Sequence, residues 1–157
     1  MTPEDWPRVK QIYECGIATG HATFQNAAPD WEEWDKSHIQ SCRLVARDGE
    51  LVIGWAALTS VSGRCVYAGV AELSVYIDEG YRGKGNGDKL LKELILQSEL
   101  HQFWTLQAGI FPENISSIKM HLSNGFRILG TREKIGKMNG IWRDTVLLER
   151  RSKIVGN

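Results

Sequence analysis

The chain has no excess of charge of either sign. Nineteen basic residues balance nineteen acidic ones over 157 positions, so no global field draws it to nucleic acid or to an anionic membrane. Only "ERRSK", near the C-terminus, is locally basic, and it reads as a solvated tail. Long apolar runs are missing too. The longest, around "LVIGWAAL", falls far short of a bilayer span, and the opening "MTPEDWPRVK" carries no apolar h-region, so a cytoplasmic protein without a membrane partner is expected. Cysteine is scarce: Cys15, Cys42 and Cys65 are odd in number, widely spaced and form no C-x-x-C. That argues against a disulfide framework or a zinc site and for reduced packing thiols, with no metal expected. Repeats, linkers and low-complexity segments are absent as well.

What is present, 42% hydrophobic and 24% charged residues, fits one globular domain over 1–157 with its own core. "TPEDW" reads as a helix start, with Thr2 as N-cap and Pro3 at the first helical position, and the helix should run to about Cys15. "IATGHATFQNAAPD" reads as a loop, with Asp30 positioned to cap a second helix, "WEEWDKSHIQS". "RLVARDGELVIGWAALTSV" is two strands across Asp48-Gly49, a hairpin signal. A third strand is expected from about Cys65 to Ile77, then a glycine loop, the helix "GDKLLKELILQSEL" and the strand "FWTLQAGIF". A short helix, "NISSIKMHLSN", is closed by Gly125, and a last hairpin joins "FRILGTREKI" to "IWRDTVLLER" across "GKMNG". The order α-α-β-β-β-α-β-α-β-β makes an α+β domain with a mixed sheet.

The segment "VYIDEGYRGKGNGDKLL" carries chemistry as well as structure. Three glycines at alternate positions stand between an alternating strand and a helix whose Leu90, Leu91 and Leu94 are spaced to face a core. A helix N-terminus offers unpaired N–H groups, and glycines let an anion approach that backbone, so a phosphate is the natural occupant. The mononucleotide pattern G-x-x-x-x-G-K-[ST] is absent. The dinucleotide pattern G-x-G-x-x-G fails as well, because "GKGNGD" lacks its third glycine and follows an antiparallel meander.

The remaining pattern is R-x-x-G-x-G, formed by Arg82, Gly85 and Gly87. It resembles the acetyl-CoA pyrophosphate loop of the GCN5-related N-acetyltransferase (GNAT) superfamily. "NISSIKMHLSNGF", from Asn114 to Phe126, resembles the superfamily's second cofactor motif. "IYECGIATGHATFQ", "AELSVYI" and "NGIWRDTVLLERR" narrow the resemblance to the phosphinothricin and methionine sulfoximine acetyltransferase branch. It spans nearly the whole chain, with two departures: the family's opening strand before "TPEDW" is missing, as in a truncated reading frame or a sheet lacking an edge strand, and position 86 is Asn where an aliphatic residue is usual.

The resemblance implies a GNAT fold with a mixed, mostly antiparallel sheet, acetyl-CoA as co-substrate, a small amino-acid-like amine as acceptor and a homodimer. It places a carboxylate base at Glu72, acting directly or through water, and a proton donor at His121. Bottom-up, Glu72 lies in an otherwise apolar strand, where desolvation raises a carboxyl pKa toward useful base strength; pairing with Arg64 is the alternative. His121 falls two helical turns after Asn114, on one face with it, and a structural histidine is the alternative there. Cofactor contacts are expected from Val75, Tyr76 and Ile77 on the strand, from Arg82, Gly83, Lys84, Gly85, Asn86, Gly87 and Asp88 in the loop, and from Asn114 and Ser117. Acceptor contacts are expected from Phe24, Gln25, Arg64, Tyr67, Leu73 and Ser74. An acetyltransferase of peptides or polyamines, and a sensor that binds acyl-CoA without turnover, are the other readings.

Overall fold

The computed structural model describes residues 1–156. A 3-10 turn, Pro3–Asp5, leads into α1 (Trp6–Ala18); α2 (Trp31–Ser37) follows, then β1 (Leu44–Asp48), β2 (Leu51–Ser60) and β3 (Val70–Ile77). Next come α3 (Asn86–Leu100), β4 (Thr105–Ile110), α4 (Ile115–Ser123), β5 (Arg127–Met138) and β6 (Ile141–Arg151). One six-stranded sheet runs in the order β1-β2-β3-β4-β6-β5. Every pair is antiparallel except β3 with β4. The element order matches the expectation from sequence, and local chemistry explains most boundaries. Asp30 caps α2 by accepting the Glu33 N–H at 2.9 Å, and Gly125 closes α4 at φ +83°, a conformation that costs an L side chain strain.

Several boundaries differ from those read in the sequence. The first helix begins as a 3-10 turn, with the Thr2 N–H donating to the Asp5 carboxylate at 2.9 Å, and continues past Cys15 to Ala18. α2 stops at Ser37. Cys65–Tyr67 is a 3-10 turn rather than the start of β3. The strand begins after Gly69, whose carbonyl takes the N–H groups of both Trp104 and Thr105, at 2.8 and 3.1 Å. β5 runs on through "GKM", so the last turn is the tight pair Asn139-Gly140, both at positive φ, as a two-residue hairpin of matching twist requires. Of the three cysteines only Cys42 is buried; Cys15 and Cys65 are exposed thiols rather than packing groups.

Alternate residues of β2 feed two cores. Ala56 and Leu58 join Leu73, Leu91, Leu94, Leu106, Phe126 and Leu148 on the α3 side. Trp55 and Ala57 join Trp6, Val9, Ile12 and Trp34 on the α1 side. Each fully buried aliphatic or aromatic side chain contributes about 1.5–3 kcal/mol relative to exposure. The second core is mostly aromatic: Trp55 stacks on Tyr76 at 4.7 Å, and Tyr13 meets Tyr76 edge-on at 4.9 Å. α1 packs over β2 and β3, at the edge of the opening described next.

Candidate active site

β3 and β4 pair over only three positions, Val70 with Thr105, Ala71 with Leu106 and Glu72 with Gln107, and then separate. Beyond Glu72, among the described residues, β3 keeps β2 as its only strand partner. The Asp78 N–H donates to the Ile53 carbonyl of β2 at 2.8 Å. By alternation the backbone groups of Leu73, Val75 and Ile77 face the other way, into the gap. Main-chain polar groups on a strand edge need partners, so this edge is built to receive an extended ligand as an added strand. The gap opens into a cleft of 470 Å³ lined by β3, the ends of β4 and α1, the loop after α1, and α4.

At the mouth lies the glycine loop. Gly83 and Gly85 sit at φ +72° and +79°, and a Cβ on either would meet nothing within 4 Å, so the space above them is open. The first bond of α3 runs from the Lys89 N–H to the Gly85 carbonyl. Among the described residues, no backbone N–H from Gly83 to Asp88 donates to another backbone carbonyl outside regular elements. Gly87 lets α3 approach α4: a Cβ there would stand 3.1 Å from the Met120 sulfur. Asn86, the unusual residue, ties the loop together by donating from Nδ2 to the Tyr81 carbonyl at 3.0 Å. Two expected anion contacts are partly committed elsewhere. Arg82 donates from Nε to the Ile77 carbonyl at 3.0 Å, which also occupies that carbonyl, and Lys84 donates to the Gly80 carbonyl at 2.8 Å. The Asp88 carboxylate pairs with Lys92 at 2.7 Å and accepts from Asn124 at 2.8 Å, leaving only its N–H for a ligand.

On the far wall Asn114 caps α4 by accepting the Ser117 N–H at 3.3 Å, and Asn114, Ser117 and His121 all line the cleft. His121 is 3% exposed, its Nδ1 lies 2.8 Å from the Ser117 carbonyl, and its Nε2 has no protein partner. A carbonyl only accepts, so Nδ1 carries the proton and Nε2 is a bare acceptor. Desolvation lowers the His121 pKa, and the bond to the Ser117 carbonyl raises it only in part. Desolvation and the Nδ1 bond together favour the neutral imidazole of His121 over the imidazolium.

Glu72, Ser74 and Tyr76 share one face of β3, as alternation predicts, and all three line the cleft. The Glu72 carboxyl is reached by solvent yet crowded by protein; partial desolvation raises its pKa, and the Arg132 guanidinium opposes that. Arg64, the expected alternative partner, is exposed, lies 5.6 Å from the Tyr67 ring centroid and stays outside the cleft lining together with Tyr67. Leu73 and Phe24 do line the cleft, whereas Gln25 lines a second cavity of 440 Å³ beside Tyr13, Trp34 and His38. The structure thus brings Phe24, Leu73 and Ser74 to Glu72's cleft and leaves Gln25, Arg64 and Tyr67 out of it.

Arg143, on β6, carries no signal in the sequence beyond being a charge in a strand. Its Nη1 donates to the Gly20 carbonyl at 3.1 Å, and its Nη2 donates to Glu113 and to His21 Nδ1, each at 3.2 Å. The guanidinium carbon lies 4.1 Å from the Phe111 ring centroid. Phe111 in turn meets Phe24 edge-on at 4.9 Å, and Gly136 makes room for the Phe24 ring, which a Cβ would approach to 2.7 Å. Arg143 thereby fastens the loop after α1 across the cleft.

Known proteins share this architecture. Residues 6–126 match the Acetyltransferase (GNAT) family. The chain is 34% identical over 154 residues to a phosphinothricin N-acetyltransferase of Alcaligenes faecalis, covering 94% of this chain and 78% of that protein. It is 34% identical over 152 residues to an L-methionine sulfoximine/L-methionine sulfone acetyltransferase of Pseudomonas aeruginosa, covering 92% and 88%. A solved phosphinothricin acetyltransferase from Sinorhizobium meliloti, in complex with AcCoA, superposes with a TM-score of 0.89 at 29% identity, covering 99% of this chain and 88% of that one.

Proposed function

The chain belongs to the GNAT acetyltransferase family and is an acetyl-CoA-dependent N-acetyltransferase, and from that premise we propose that its acceptor is the α-amine of a small amino acid with a tetrahedral side group, such as phosphinothricin, methionine sulfoximine or methionine sulfone. The observation that carries this reading is the gap between β3 and β4, with its free backbone edge, ending in a glycine cradle at one side and Glu72 at the other. The names of the relatives, each an acetyltransferase of such an amino acid, support the acceptor class.

The residues present fit acetyl-CoA. The open N–H groups from Gly83 to Asp88 and the positive end of α3 suit a pyrophosphate, and Arg82 adds charge. Val75 presents both of its main-chain groups to a pantetheine amide, and Ile77 presents its N–H. Asn114, Ser117 and the side of Tyr76 flank the arm. Bound there, acetyl-CoA supplies a thioester carbon that an amine can attack, forming a C–N bond as the C–S bond breaks. Glu72 takes the proton the amine gives up, directly or through water. His121 lines the cleft with Nε2 as a bare acceptor, and solvent supplies the proton that the departing sulfur takes up. Phe24, Ser74 and the Leu73 main chain enclose the acceptor, and Arg143 holds Phe24's loop over it.

Calorimetry and a thiol-release assay test the reading together. Acetyl-CoA should bind with micromolar affinity where ATP and NAD give no heat, and thiol release should depend on added phosphinothricin or methionine sulfoximine. Acetylation of peptides or polyamines with neither amino acid accepted would overturn the acceptor class, and binding without any release would favour a sensor.

A further inference from the structure

Few polar side chains are buried in this protein, and most of those are satisfied within it. Asp5 pairs with Arg47, the Ser98 hydroxyl donates to the Ile95 carbonyl at 2.7 Å, and the Ser152 hydroxyl donates to Glu99 at 2.9 Å. Thr145, on β6, is 8% exposed, and among the described residues its hydroxyl makes no hydrogen bond. Thr105 shares that state but lies outside the cleft lining, whereas Thr145 is part of it. A desolvated hydroxyl without a partner costs free energy, and a ligand oxygen in the cleft would supply the partner.

Alternation places this hydroxyl. Leu73 of β3, Ala108 and Ile110 of β4, and Val146 and Leu148 of β6 all belong to the core on the α3 side. Their neighbours Glu72 and Ser74, Gly109 and Phe111, and Thr145 therefore project to the other face. Glu72 is level with Gln107, so Ser74 stands level with Gly109 across the gap; Ile110 pairs with Val146, which sets Thr145 beside Phe111, just beyond the end of β4. Gly109 lines the cleft without a side chain, and a Cβ there would meet nothing within 4 Å, so the floor between β3 and β6 is open. A small molecule can thus lie across β4, from Glu72 and Ser74 toward Thr145, with Phe24 and Phe111 against its carbon chain.

The bonds of an amino acid decide which of its groups lies at which end. The α-carboxylate is attached to the carbon that bears the amine and stays at the Glu72 end. A phosphinate, sulfone or sulfoximine at the tip of the side chain is the group that reaches β6. Its oxygens are acceptors, and a threonine hydroxyl has a hydrogen to donate. We propose that Thr145 is the specificity residue that donates to the tetrahedral side group of the acceptor. The assignment rests on the acetyltransferase reading above and names what recognises the side group in that same site.

Kinetics of wild type, Thr145→Val and Thr145→Ser with methionine sulfone and with methionine test it, because the two acceptors differ only in the oxygens on sulfur. Valine keeps the shape of threonine without the hydroxyl, and serine keeps the hydroxyl. Wild type should prefer the sulfone. With the sulfone, Thr145→Val should lose about 5- to 50-fold in kcat/KM, mostly through KM, and Thr145→Ser should retain most of the wild-type value. With methionine, Thr145→Val should change kcat/KM by less than about threefold, and KM for acetyl-CoA should stay put in both variants. Equal losses on both acceptors, no loss on either, or wild type that takes methionine as well as the sulfone would overturn the assignment while leaving the transferase reading intact. Thr145→Ser falling as far as Thr145→Val would overturn it in favour of packing by the threonine methyl. Wild type that acetylates polyamines or peptides but neither amino acid would overturn both readings together.

Discussion

At the residue scale, Glu72 and His121 line one cleft and their pKa values shift in opposite directions, and pH separates their roles. Partial desolvation raises the Glu72 carboxyl above the usual 4.5, and burial lowers the His121 imidazole below the usual 6.5. A base is competent only when deprotonated, so the acid limb of kcat/KM should lie above the ordinary glutamate range, with activity rising further as the acceptor amine loses its proton. If His121 donated as imidazolium, activity would instead fall as pH rose through its lowered pKa; a profile measured from pH 5 to 9 should show no such fall. Glu72→Gln nearly preserves volume, so kcat should drop by about 10²-fold or more with acetyl-CoA affinity unchanged in calorimetry. His121→Gln should keep kcat within about tenfold of wild type. Glu72 was legible in the sequence because a lone carboxylate in an apolar strand stands out by alternation. The His121 tautomer was not, since it depends on one carbonyl, that of Ser117, at 2.8 Å.

At the element scale, the glycine loop and its helix were readable because each signal is local: positive-φ glycines, an N-terminus without side-chain acceptors and leucines at helical spacing. Gly85→Ala would impose about 1–2 kcal/mol of left-handed strain and push a methyl into the cradle's open space. Acetyl-CoA affinity should fall while a thermal melt shows the fold retained. The parting of β3 from β4 after Glu72 had no local signature, because it depends on where two distant strands stop pairing. Arg143 was hidden for the same reason: its partners Gly20 and His21 lie 123 and 122 positions away. Arg143→Ala removes the fastening of the loop after α1 without touching the glycine cradle. KM for the acceptor should rise by about tenfold or more and the loop should become sensitive to limited proteolysis, with acetyl-CoA binding held near wild type. Loss of both affinities would show that Arg143 supports the whole cleft rather than its acceptor side.

At the scale of the whole molecule, one sheet carries two cores, and the cleft opens where the sheet divides. The sheet ends in β5, an edge strand with Ile128, Leu129 and Ile135 exposed, beside Ile141 and Trp142 of the hairpin. Exposed apolar edges invite pairing, and the homodimer expected from the resemblance would cover this one; light scattering at dilute concentration should give twice the 17.7 kDa chain mass, and Trp142→Glu should shift it toward monomer. The fold as a whole was legible because hydrophobic period, turn residues and caps agree along the chain; the acceptor side was not, being assembled from β3, β5, β6 and the loop after α1. On this reading the division of the sheet brings an acetyl thioester and an amine together over Glu72. Mass spectrometry of a reaction containing acetyl-CoA and methionine sulfoximine tests it most directly. An acetyl group should appear on the acceptor nitrogen in equal amount to the CoA released, with both lost together in Glu72→Gln; CoA released without acetylated amine, or full transfer by Glu72→Gln, would show that the cleft does not work this way.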